Sequence, residues 1–157
     1  MTLVSEYRDA RREEDVARLR RVLALRAMVA NGMSQRQIAD ALGVSQPAVS
    51  QQLKFARELS TVHPQVLVHA AGPILKALAT DLSYRRLAVF GSVARGTASP
   101  DSDIDLIAES PPGTSSFEFL RFKQLIEQVL GREVDLIDYG GLKPRIDEDI
   151  RREAVLL

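Results

Sequence analysis

The sequence predicts an α+β protein, with an all-α first part and a second part in which short strands alternate with helices. Three observations carry this. Between Glu13 and about Ser60 apolar residues recur at helical spacing, interrupted only by tight turns. Further on, Arg86–Phe90, Asp103–Ala108 and Glu133–Tyr139 read as short strands. Between the two parts, STVHPQ at 60–65 has the composition of a linker. The expected division is 1–60, a linker or connecting helix at 61–72, and 73–157.

In chain order, the first helix, Glu13 to Asn31, is marked by Val16, Leu19, Val22, Leu23, Leu25, Met28 and Val29, and Asn31-Gly32 stops it. Ser34 is a good N-cap for the second helix, Gln37 three places on completes a capping box, and Gly43 ends it. Ser45 can cap a third helix, which tolerates Pro47 because the first turn has spare N–H groups. Val66 to about Leu82 is helical, with Gly72-Pro73 expected to interrupt or restart it. Strand Arg86–Phe90 leads into the glycine-rich loop GSVARG, and strand Asp103–Ala108 runs into the breaker SPPGTSS. Phe117–Leu130 is a helix with Phe117, Leu120, Phe122, Leu125, Ile126 and Leu130 mostly on one face, stopped by Gly131. Glu133–Tyr139 is the third strand, and Ile146–Leu157 the last helix, its charge run RIDEDIRRE a solvated face.

Composition narrows the function classes. With 45% apolar residues the chain can bury a core, and with no cysteine it can form neither disulfides nor zinc-thiolate sites. No apolar run spans a bilayer, and MTLVSEYRDARREED has no stretch of signal-peptide length, which points to a cytoplasmic protein without a membrane partner. Only 5% of residues are aromatic, which argues against a base-stacking surface for single-stranded nucleic acid. The net charge of zero conceals ten Lys/Arg against seven Asp/Glu in residues 1–60, and eleven against fourteen in 61–157. The first part therefore leans toward polyanions and the second toward cations. His63 and His69 have no partner ligands in sequence and read as solvent-facing or packing residues.

Residues 34–57, SQRQIADALGVSQPAVSQQLKFAR, join two short helices by the turn LGVS. Ala39 is small where the helices would cross, Gly43 supplies a positive-φ turn, and Ile38, Leu42, Val44 and Val49 are expected to bury. This pattern resembles the DNA-binding helix-turn-helix of phage-repressor-like regulators, and SQPAVSQQL resembles the recognition helix of LysR-type regulators. The resemblance covers about residues 16–58; Gln52 departs from the repressor pattern, and Leu53 takes over its apolar place. In such a fold the third helix faces the major groove. Ser45, Gln46, Ser50 and Gln51 can bond base edges, Gln35, Arg36, Lys54 and Arg57 are placed to touch phosphates, and Pro47 is counted with them as a DNA-binding position. A three-helix protein-interaction module is the alternative, but it calls for an apolar outer face.

The stretch GSVARGTASPDSDIDL at 91–106 has three possible readings. As a P-loop it fails, because Thr97 stands where lysine is needed after Gly96. As an EF-hand, Asp101, Asp103 and Asp105 fit, but Leu106 and Pro112 occupy the decisive places. The third reading fits: Gly91-Ser92, ten intervening residues, the Asp103/Asp105 pair, and a later strand acid, Asp135 in EVDLID. Asp103 and Asp105, two apart on a strand, share a face. Converging carboxylates repel unless a cation neutralises them, and Mg²⁺ takes oxygen ligands and bridges phosphates. A second metal ion can lower the pKa of an attacking hydroxyl, so Asp135 can either complete that second site or serve as base. Gly91 and Gly96 allow backbone N–H groups close to phosphate oxygens, the Ser92 hydroxyl adds a bond, and Arg95 can neutralise phosphate charge. Asp138, on the opposite strand face from Asp135, reads as a strand-end or surface acid.

With RLAVF before it, this constellation resembles the polymerase-beta-like nucleotidyltransferases, and in particular their minimal, MNT-type members, over about residues 73–155. The resemblance implies a small mixed sheet flanked by helices, ATP as substrate, and a two-metal Mg²⁺ site on Asp103, Asp105 and Asp135. It also implies an antitoxin-like role, in which AMP is transferred from ATP to a tyrosine of a HEPN-type toxin partner. A fused helix-turn-helix suits operator binding and autoregulation, and a homodimer is expected. The alternative function is a transcriptional regulator whose transferase-like part binds nucleotide as a sensor without turnover.

Overall fold

The computed structural model describes residues 2–145 and 147–157, with 56–58 described by backbone alone. Helices α1 (Leu3–Ala30), α2 (Gln35–Leu42) and α3 (Gln46–Phe55) come first, followed by a 3₁₀ segment, Ala56–Thr61. Then come α4 (Pro64–Asp81), β1 (Arg85–Phe90), α5 (Gly91–Arg95), β2 (Ile104–Glu109), α6 (Ser116–Leu130), β3 (Val134–Asp138), α7 (Glu148–Glu153) and β4 (Val155–Leu156). The four strands form one mixed sheet in the order β3-β2-β1-β4. Strand β1 lies antiparallel to both β2 and β4, while β2 and β3 run parallel. The α+β expectation and the flanking helices are both present.

Helix α1 starts earlier than periodicity indicates. Thr2 accepts from the Ser5 N–H and Ser5 answers in a reciprocal capping box, so the helix begins at Leu3. Residues 3–15 are mostly exposed and charged, and they have no core to give them a hydrophobic period.

The second half of α1 faces two ways. Leu23 and Ala27 join the main core with Leu67, Leu75, Ile104, Leu106, Phe122 and Ile126 from the sheet and its helices. Leu25 instead joins Ile38, Ala39 and Val49 in a smaller core beneath the turn. Leu42 and Val44, expected to bury, are 48% and 44% exposed. α1 instead supplies Leu25 to this small core, with Met28 packed against it.

Helix α4 runs unbroken through Gly72-Pro73. Pro73 has no N–H for the His69 carbonyl. Arg20 of α1 supplies the missing donor: its Nη2 donates to His69 O at 3.3 Å and its Nε to Ala70 O at 2.8 Å. A tertiary contact therefore satisfies the carbonyl that a helix-internal proline leaves without its backbone donor. His63 accepts from the Gln65 N–H as the N-cap of α4, with Pro64 in its first turn, so the expected linker contains a helix start.

The last helix also differs from expectation. Only Glu148–Glu153 is helical, and Val155–Leu156 then pairs with Ala88 and Val89 as an edge strand. Leu157 N donates to Leu87 O at 3.0 Å. The open edge of β1 pairs with the terminal apolar run and so ends the helix. Ile146 lies outside the described residues.

Candidate functional site

The glycine-rich segment is a single helical turn, α5, set directly on the end of β1, and not the open loop expected from its composition. Gly91 sits at φ +70°, and a Cβ there would lie 2.2 Å from Asp105 Oδ2. Both the backbone and the neighbouring carboxylate therefore require glycine. Gly96 closes the turn in the left-handed region, with space around it. Gln65, reaching from α4, donates through Nε2 to Val93 O at 2.9 Å and ties α5 to the body of the molecule.

Sheet register then sets the acids. Asp105 is paired with Phe90 on one side and with Asp135 on the other, so two carboxyl groups stand side by side on adjacent strands. Ile104 and Leu106, the alternate residues, are fully buried beneath them. Burial first, then the Asp135 charge and a hydrogen bond to Asp135, then the Asp103 charge, push the Asp105 carboxyl up to about 6; Arg95 acts in the opposite direction. Asp103 is exposed and lies just outside the β2 ladder. Among the described residues no group of three or more His, Cys, Asp or Glu side chains is placed to hold a metal ion together. An open arrangement still suits Mg²⁺, which usually takes one or two carboxylates and completes its shell with water and phosphate oxygens. The donor set, all carboxylate oxygen with a like-charged pair, fits such an ion.

Arg95 lies at the rim of the same turn. Its Nη1 donates to both carboxylate oxygens of Glu153 on α7, at 3.0 and 3.1 Å. Glu153 was assigned to a solvated charge run, and its role depends on how the chain end folds back, which no local pattern reveals. Ser92 is half-buried on α5. Asp138 accepts from the Gly140 N–H at 2.9 Å and from the Ser110 hydroxyl, which accounts for it as a strand-end cap. Asp101 is an exposed turn residue.

At the other end, Ser34 and Gln37 form the expected capping box and Gly43 the left-handed stop. Ser45 accepts from the Ala48 N–H at 3.2 Å, so part of its hydrogen-bonding capacity is spent in capping α3. Arg36, Gln46, Pro47, Gln51 and Lys54 are exposed, while Gln35 and Ser50 are half-buried. The Arg57 side chain lies outside the described residues. The outward face of α3 therefore presents the amides Gln46 and Gln51 and one basic residue, Lys54, together with the exposed Pro47 and Phe55.

Comparison with known proteins gives one family match in each part of the chain. The family model described as nucleotidyltransferase domain matches residues 73–157. The model described as bacterial regulatory protein, arsR family, matches 18–59, where the motif itself had suggested repressor and LysR variants. A candidate protein adenylyltransferase of Methanocaldococcus jannaschii is 39% identical over 71 residues, 45% of this chain and 76% of that one. The protein adenylyltransferase MntA of Thermococcus cleftensis is 35% identical over 80 residues, 51% of this chain and 81% of that one. A solved structure of a candidate minimal nucleotidyltransferase superposes with a TM-score of 0.54 at 36% identity, covering 59% of this chain and 95% of the other. The chain belongs to the nucleotidyltransferase-domain family, here joined to an N-terminal helix-turn-helix.

Proposed function

We propose that the chain transfers AMP from ATP to a hydroxyl of a partner protein, a tyrosine of a HEPN-type toxin, while its helix-turn-helix binds the operator of its own genes. The observation that carries the transferase reading is the Asp105/Asp135 pair held in register on adjacent strands against the Gly91 turn. The names of the two archaeal relatives support protein as the acceptor class. The exposed Gln46, Gln51 and Lys54 on α3, with Arg36 on α2, support DNA as the second ligand. The working division is a DNA-binding part at 1–60, a connecting stretch at 61–72 and a transferase part at 73–157.

In this reading the α5 turn receives the phosphates. Gly91 lets the chain approach them closely, Ser92 adds a hydroxyl donor, and Gly96 opens the far side of the turn. Among the described residues Arg95 is bonded only through Nη1, so Nε and Nη2 remain available for a phosphate oxygen. Asp103 and Asp105 would hold Mg²⁺, which would neutralise phosphate charge and supply Lewis acidity, leaving Asp135 to serve as base. The acceptor hydroxyl attacks the α-phosphorus. The new O–P bond forms as the bond to the β-phosphate oxygen breaks, pyrophosphate leaves, and the hydroxyl proton passes to Asp135.

The test is incubation of the purified chain with α-labelled ATP, Mg²⁺ and the protein encoded by the adjacent gene, which this reading expects to be of HEPN type. Label on the partner's tyrosine is the expected result. Operator binding that depends on ATP, with no covalent product, would replace this account with the nucleotide-sensor reading.

A further inference from the structure

Asp105 and Asp103 are held by different means. Asp105 lies inside the sheet, with a ladder partner on each side. Asp103 precedes the first paired residue, Ile104, so no strand fixes it. Its position depends on the loop 97–103. That loop is partly self-tied: Ser99 N donates to Ser102 Oγ at 2.7 Å and Ser102 N to Ser99 O at 3.0 Å. These bonds fix the shape of the turn but not its place on the molecule.

Thr97 N donates to Ser92 O at 3.0 Å and Ala98 packs on the main core at the start of the loop, and Arg132 anchors its far end. It follows Gly131 in the short link between α6 and β3, and is half-buried there. Its Nη2 donates to Pro100 O at 3.4 Å and to Ser102 O at 3.3 Å, the second being the carbonyl immediately before Asp103. Its Nη1 donates to Val62 O at 3.0 Å, between the 3₁₀ segment and α4. One planar guanidinium thus joins the loop that carries Asp103 to the body of the molecule, a geometry lysine cannot reproduce.

We infer that Arg132 is a positioning residue for the transferase, setting Asp103 for the divalent cation by clamping the carbonyls on either side of the loop's last turn. The inference rests on the metal reading of Asp103 proposed above. Groups that orient a ligand without touching the metal typically change its affinity by about 10- to 100-fold when removed.

The test uses the full chain and Mn²⁺ as the probe, with binding followed by the spin resonance of the free ion. Arg132→Met should weaken Mn²⁺ binding on the order of 10-fold. Arg132→Lys should fall between Met and wild type, and it carries the test alone if the Met variant does not fold. The double variant Asp103→Asn/Arg132→Met should bind no more weakly than Asp103→Asn, because Arg132 acts through Asp103. Wild-type binding in Arg132→Lys and Arg132→Met, or additive losses in the double variant, overturns the inference and leaves the metal reading standing. No Mn²⁺ binding by the wild type, or no loss in Asp103→Asn, overturns the metal reading and the inference with it.

Discussion

The helix-turn-helix and the transferase site are held together in opposite ways. The first relies on devices a few residues wide: the Ser34–Gln37 capping box, the Ser45 cap, the left-handed Gly43 and a four-residue core of Leu25, Ile38, Ala39 and Val49. The second gathers its parts from distant segments, with Gly91 against Asp105, Asp105 beside Asp135, Glu153 on Arg95 and Gln65 on Val93. Helix α1 lends a face to each core. Damage to the first region should therefore appear mainly as lost stability, and damage to the second mainly as lost chemistry.

The largest effect expected is on activity. Asp105→Asn should lower AMP transfer by more than the roughly 100-fold that bounds changes made outside the ligand sphere. Its melting temperature at neutral pH should be unchanged or higher, because the repulsion with Asp135 is relieved. In the other region, Ile38→Ala should cost about 2–5 kcal/mol and abolish operator binding in a gel-shift assay. If transfer is lost with it, the two cores act as one cooperative unit through α1. Gly91→Ala combines both kinds of damage. The positive φ costs about 1–2 kcal/mol by itself, and the clash with Asp105 Oδ2 adds to that. In an Asp105→Ala background only the first part should remain, as denaturant midpoints would show. Ser34→Ala should cost about 1 kcal/mol, measured the same way.

The smallest effect is pH-dependent, since water screens a half-exposed carboxyl. Asp105 titrates near 6 in the folded chain against 3.8 as its ordinary value. Within that window the folded chain holds a proton that the unfolded chain has lost. Stability of the metal-free protein should therefore fall as pH rises from about 4 to 6 and then level off. Asp105→Asn should flatten that slope in thermal melts.

The contrast also explains what the sequence disclosed. Caps and turns are local, so Ser34, Gln37, Gly43 and Gly131 were legible; Asp105 and Asp135 were legible as strand acids, but the pair expected on one strand, Asp103 and Asp105, is divided because β2 begins at Ile104. Tertiary substitutions were not. Pro73 stays helical because Arg20 reaches across from α1, and the last helix gives way to β4 because β1 has an open edge. Arg132, Gln65 and Glu153 bond to partners at least twenty-eight residues away, so no window of sequence shows their work.

The most direct measurement compares label transfer from α-labelled ATP to the proposed HEPN-type partner by wild type, Asp105→Asn and Ile38→Ala. The account predicts transfer by wild type and by Ile38→Ala below its melting temperature, with none detectable from Asp105→Asn. Transfer by Asp105→Asn at the wild-type rate would contradict it.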